Sequence, residues 1–167
     1  WAAACQASGA TWGGGETPVL SDVVAPGTID LGGACIGAVR PKSRLVLGDR
    51  LTPGDAIVLL ASSGIHANGL TLARRVAARL PEGYATDIGD GRSFGEALLA
   101  PTHLYPPIVR DVFEADIDVH YMSNITGHGW RKLMRARREL RYVLHAVPPV
   151  GPLFRFLSDR AGLEPAE

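Results

Sequence analysis

Apolar residues recur at helical spacing most clearly at Leu70, Leu72, Ala73, Val76, Ala77 and Leu80, with Arg74, Arg75 and Arg79 on the other side. That period predicts an amphipathic helix. Just before it, residues 56–61 form an unbroken apolar run of strand length. Such a run predicts a strand buried on both faces. Residues 34–39 alternate small and apolar and predict another strand, and 45–47, 117–122 and 141–147 predict three more. Thr52-Pro-Gly-Asp55 is turn chemistry. Ser93 with Glu96 predicts a capping box for a short helix to Ala100, where Pro101 interrupts it. Thr102 is placed to cap a further helix to about Ala115, with Pro106 and Pro107 near its start. Helices are also predicted over 130–138 and 151–160, the latter closed by Gly162. Helices and strands interleave, which predicts an α/β fold, an α+β mixed sheet with flanking helices.

Composition narrows the classes. At 167 residues, 46% apolar and 20% charged, the chain reads as a globular domain and not a disordered tail. Seventeen basic side chains balance seventeen acidic ones. Neutrality argues against a protein built to bind nucleic acid. Two cysteines, Cys5 and Cys35, supply neither a disulfide framework nor a zinc site and fit a reducing cytoplasm. No apolar run approaches the ~20 residues of a membrane helix, so no membrane partner is expected.

The residues that can carry chemistry lie in glycine-rich loops. Ser62-Ser-Gly-Ile-His-Ala-Asn-Gly69 falls between the predicted buried strand and the amphipathic helix. Unpaired N–H groups at a helix start and close backbone approach at glycine suit a phosphate or carboxylate. His66 is then available as acid, base or donor. The same residues are also ordinary capping and turn residues. Thr126-Gly-His-Gly129 repeats the device after a second predicted strand, and two such loops can face one cleft. Glu16, beside the triple glycine at 13–15, can hold Mg²⁺, contact a ribose hydroxyl, serve as a base or simply be solvated. Asp30 has the same standing. Arg131, Lys132, Arg135, Arg137, Arg138 and Arg141 form a basic stretch whose one acidic residue is Glu139, read as a solvated face. The five histidines show no metal-ligand spacing, which leaves any metal ligands unassigned. Ser62 or Ser63 with His66 makes no triad without a third member.

In order along the chain stand Gly14-Gly-Glu-Thr17, Ile29-Asp-Leu-Gly-Gly33, Ile36-Gly-Ala-Val39, Gly54-Asp55, the 62–69 loop with Leu72-Ala-Arg74, Leu99-Ala-Pro-Thr102 with Tyr105, and Ile125-Thr-Gly-His-Gly129. This series resembles the phosphoribosylformylglycinamidine cyclo-ligase (AIR synthetase) superfamily over about residues 12–138, mostly its C-terminal domain. The resemblance implies a cytoplasmic, ATP-dependent ligase of purine biosynthesis. Such an enzyme cyclises formylglycinamidine ribonucleotide to aminoimidazole ribonucleotide with ATP and Mg²⁺, and dimerises through its N-terminal domain. By motif match, His66 is the catalytic candidate. Ser62, Ser63, Gly64, Asn68, Gly69, Thr126, Gly127, His128 and Gly129 are substrate- or phosphate-binding candidates. Glu16 and Asp30 are nucleotide- or metal-linked. The implied partners are a small phosphorylated ribonucleotide and a second copy of the chain.

Departures mark a related protein. Ala67 stands where the family carries Ser, His128 where it has Gly, and Pro18-Val-Leu-Ser-Asp22 replaces an acidic continuation. An arginine-rich stretch follows Trp130 where the family has Asn and a Pro-Arg-Val type sequence. The family's early acidic segment has no counterpart, and the chain starts at Trp1 without Met. A piece of a larger enzyme is therefore expected, with residues 1–47 a remnant of the N-terminal domain and 48–167 a truncated C-terminal domain. Other superfamily members remain alternatives: selenophosphate synthetase, thiamine-monophosphate kinase or the hydrogenase-maturation type. So does a non-catalytic phosphate-ligand-binding paralogue.

Overall fold

In the computed structural model, which describes residues 1–163, Phe94 is buried completely and most of the other core side chains belong to one cluster with it. Five α-helices are present among the described residues: α1 (Ala2–Ala7), α2 (Leu70–Ala77), α3 (Phe94–Leu98), α4 (Pro106–Glu114) and α5 (Pro152–Ala161). Short 3-10 helices cover Lys42–Arg44, Gly83–Ala85 and Gly129–Arg135. The chain forms two compact units, Trp1–Val46 with Leu104–Val119, and Leu47–His103 with His120 onward.

The second unit holds the core. Helix α2 turns Ala73, Val76 and Ala77 inward and leaves Arg74 and Arg75 exposed, as the period requires. Helix α3 starts with the expected capping box: the Ser93 side chain accepts from the Glu96 N–H, and the Glu96 carboxylate accepts from the Ser93 N–H. Helix α5 has Pro152 in its first turn, where the missing N–H costs nothing, and buries Leu153, Phe156 and Leu157. It ends at Gly162, whose φ of 65° is left-handed, with the Leu163 N–H closing on the Ser158 carbonyl at 3.0 Å. Phe94 stacks on Tyr84 and tilts against Phe156, with ring centroids 6.1 and 5.1 Å apart.

The first unit contains α1, α4 and the Lys42–Arg44 turn, with no buried residue in any of the three. Thr102 does not cap α4. The helix begins three residues later, with Tyr105 at the cap position and Pro106 and Pro107 supplying the pre-set φ.

The predicted mixed sheet is not present among the described residues, whose only β pairing is two isolated bridges, Asp87 with Ser93 and Thr126 with His128. Segments 34–39, 45–47, 56–61, 117–122 and 141–147 lie outside regular structure. The expected burial of 56–61 is overturned: Val58 is 80% exposed and Leu60 55%. Apolar patterning reports which face a strand would bury; the ladder itself needs a partner from elsewhere in sequence, and local pattern does not supply one. The helix expected over 130–138 is a 3-10 helix, Gly129–Arg135. Its winding continues the tight turn before it, where the Gly129 N–H reaches the Thr126 carbonyl at 3.0 Å and Arg131 N–H the His128 carbonyl at 3.3 Å.

Candidate functional site

Ile65 fixes the 62–69 loop, being buried among α2, α3 and α5 side chains. Gly64 lies against the same wall, where any side chain would meet the Ala97 carbonyl and Leu153. Gly69 ends the loop in left-handed conformation at φ 67° and passes directly into α2, with no side-chain cap on the first N–H groups. Those groups have no partner within the helix. Ser62 and Asn68 are exposed, while Ser63 and His66 are half-buried.

Ser63 and His66 form the chemical centre of this loop. The Ser63 hydroxyl lies 2.8 Å from His66 Nε2 and also donates to the Pro101 carbonyl at 2.6 Å. The Ser63 amide N–H points at the same Nε2, 3.3 Å away. One hydroxyl proton thus faces two acceptors. With Nε2 unprotonated, the imidazole accepts from the amide and competes with Pro101 for the hydroxyl proton. With Nε2 protonated, it donates to the hydroxyl, which then donates to Pro101. No carboxylate holds Nδ1 among the described residues, so the pair is a dyad. His66 is held at φ 54°, a left-handed backbone that costs a residue with a Cβ.

The second turn is built differently. Gly127, His128 and Gly129 are exposed, and Thr126 is half-buried. His128 also takes a left-handed backbone, φ 76°, as does Gly129, φ 55°. The Lys132 ammonium donates to the Thr126 hydroxyl. Hydroxyls of Tyr121 and Ser123 donate to the Lys132 carbonyl at 3.4 Å each.

Glu16 and Asp30 belong to the first unit, and both are exposed. No group of three His, Cys, Asp or Glu side chains that could hold a metal comes together among the described residues. A shallow cleft lined by Ile88, Gly89, Pro152, Arg155, Phe156 and Asp159 contains none of the predicted site residues.

Two features were not legible as site chemistry. His120 Nδ1 lies 2.7 Å from the Asp55 carboxylate, and the same oxygen accepts the Thr52 N–H at 3.0 Å. Both side chains are about three-quarters buried, at 22% and 25% exposure. Turn patterning signals Asp55, but its imidazole partner lies 65 residues away. The second is Lys132, which merges into the basic run when read as a string.

The region that carries both loops has recognisable relatives. Residues 52–133 match the family described as "AIR synthase related protein, C-terminal domain". The chain is 37% identical to a phosphoribosylformylglycinamidine cyclo-ligase of Paraburkholderia phymatum, covering 98% of this chain and 46% of that protein. It is 44% identical to a protein of the same name from Symbiobacterium thermophilum, covering 96% and 48%. It is 38% identical to that of Methanothermobacter thermautotrophicus, covering 90% and 44%. The chain thus spans a little under half the length of these relatives. Among the described residues, no helix is long and apolar enough to cross a membrane.

Proposed function

We propose that the chain, whose residues 52–133 match the family described as "AIR synthase related protein, C-terminal domain", forms part of an ATP-dependent cyclo-ligase. The substrate is formylglycinamidine ribonucleotide and the product aminoimidazole ribonucleotide. The relatives named for this reaction, 37–44% identical over at least nine-tenths of the chain, support that choice. One structural observation carries the reading: the matched segment sets a hydroxyl–imidazole dyad, Ser63 with His66, on a loop anchored in the core.

In this reaction the γ-phosphoryl group of ATP passes to the formyl oxygen and ADP leaves. The amidine nitrogen then attacks the activated carbon, the C–O bond breaks, and inorganic phosphate departs while the nitrogen loses a proton. His66 is positioned to move a proton or to donate a hydrogen bond, with Ser63 holding its ring. Backbone N–H groups of 62–69 and 126–129, with Ser62, Asn68 and Thr126, receive phosphate or ribose oxygens. Glu16 and Asp30 act at the nucleotide end. Mg²⁺ arrives with the nucleotide.

The whole protein, in this reading, is cytoplasmic and dimeric. Residues 1–47 belong to its N-terminal domain and 48–167 to its C-terminal domain. Segments 34–39, 56–61, 117–122 and 141–147 are strands of a mixed sheet there, which would cover apolar side chains such as Ile36, 99% exposed, and Val58. The test is ADP release by the full-length protein with ATP and formylglycinamidine ribonucleotide. Turnover should fall roughly 10²–10⁴-fold in His66→Ala. A folded wild-type protein that releases no ADP would sink the proposal.

A further inference from the structure

Lys132 sets a positive charge on the Thr126–Gly129 turn. Its ammonium donates to the Thr126 hydroxyl, its side chain is half-buried, and its carbonyl is tied by Tyr121 and Ser123. No carboxylate stands within ion-pair distance of it among the described residues.

The donor count gives this arrangement a direction. An ammonium carries three N–H donors and no acceptor. One is spent on Thr126, leaving two. The Thr126 oxygen accepts that bond, so its own O–H is left to donate outward. Positions 127 and 129 lack side chains, and the space where a Cβ would stand is open at both. The cluster is therefore rich in donors, positively charged and accessible. A half-buried cation with spare donors is stabilised by an anion with several acceptor oxygens.

We infer that Lys132 binds a phosphate group of the ligand at the Thr126–Gly129 turn, with the Thr126 hydroxyl as its partner donor. The inference rests on the cyclo-ligase reading for the identity of that ligand. Two sources share the chemistry, the nucleotide's phosphates and the 5′-phosphate of the ribonucleotide. A flexible lysine suits either, acting as a point charge.

The experiment uses the full-length protein with Lys132→Met and Lys132→Arg. Affinities for ADP and for ribose 5-phosphate are measured by calorimetry, alongside KM for ATP and for formylglycinamidine ribonucleotide. Lys132→Met should weaken one of the two ligands roughly 10- to 100-fold, and Lys132→Arg should restore most of the loss. Loss in the ADP arm assigns the nucleotide phosphates; loss in the ribose 5-phosphate arm assigns the sugar phosphate. Wild-type affinity for both ligands in Lys132→Met overturns the inference. Should that variant unfold, Lys132→Gln keeps a donor to Thr126 without the charge, and unchanged affinity there overturns it equally. A wild-type protein that binds these ligands without turnover sinks the cyclo-ligase reading alone. Normal turnover with unchanged KM values in Lys132→Met sinks this inference alone.

Discussion

The two glycine-rich loops use one local recipe and end in different states. Each carries a hydroxyl residue, glycines and a histidine with left-handed backbone, His66 and His128. At 62–69 the shape is set from beneath, by Ile65 in the core and by the Ser63 bond to Pro101. At 126–129 the turn closes on its own backbone, and one charged residue reaches back to Thr126 from the side. His66 is half-buried and has a partner; His128 is exposed. The contrast teaches that a glycine-rich string specifies flexibility, while the neighbours decide what is done with it. A loop resting on a packed core inherits the stability of that core. A loop held by a lysine depends on charge.

The strongest way to break the contrast is to remove what lies beneath the first loop. Phe94→Ala should cost roughly 3–5 kcal/mol of stability, read by chemical denaturation. Hydrogen exchange should rise sharply at 62–69. Equal loosening at 126–129 would show that both loops share one support.

A smaller effect separates the histidines. His128→Gly should stabilise the protein by about 1 kcal/mol, because glycine takes the left-handed backbone without a Cβ penalty. His66→Gly should gain less, since it also loses the contact with Ser63. Equal melting-temperature shifts for the two variants would show that the Ser63–His66 bond contributes nothing.

The smallest effect is set by pH. The Ser93 N–H, and after it the Ser93 hydroxyl, hold the Glu96 carboxyl below its ordinary value of 4.5. A depressed acid stabilises the fold while ionised. Its contribution is present above pH 4.5 and is lost as pH falls through the lowered folded value. Since α3 carries Ala97 beside Gly64, acid should loosen the first loop before the second. Melting curves of wild type and Glu96→Gln should converge in acid. Parallel curves down to low pH would rule the capping box out as the cause.

What could be read in advance follows the range of each interaction. Helices α2, α3 and α5 were legible because their signals are local: a 3.6-residue period, a Ser with a Glu three positions on, a glycine past the last turn. The start of α4 was misplaced because Thr102 looks like a cap in isolation, while the paired prolines set the helix three positions on. The apolar segments could not be resolved the same way. Val58 and Ile36 carry strand-like patterns, but pairing is a property of two segments. Within the site, both loops were visible as strings. The Asp55–His120 contact spans 65 residues, and Lys132 looked like one charge among six.

The single hydroxyl proton of Ser63 gives the first loop a further property. It makes the peptide at Pro101 a reporter of the imidazole. In the tautomer with its proton on Nε2, the hydroxyl turns fully to that carbonyl; in the other tautomer, the carbonyl has to share. A change of state at one ring is thereby written into the main chain 38 residues downstream, where the segment leaving α3 begins. An isotope label on the Pro101 carbonyl would register it as a shift in stretching frequency. The hydroxyl thus couples the position of one proton on the ring to the main chain that follows α3.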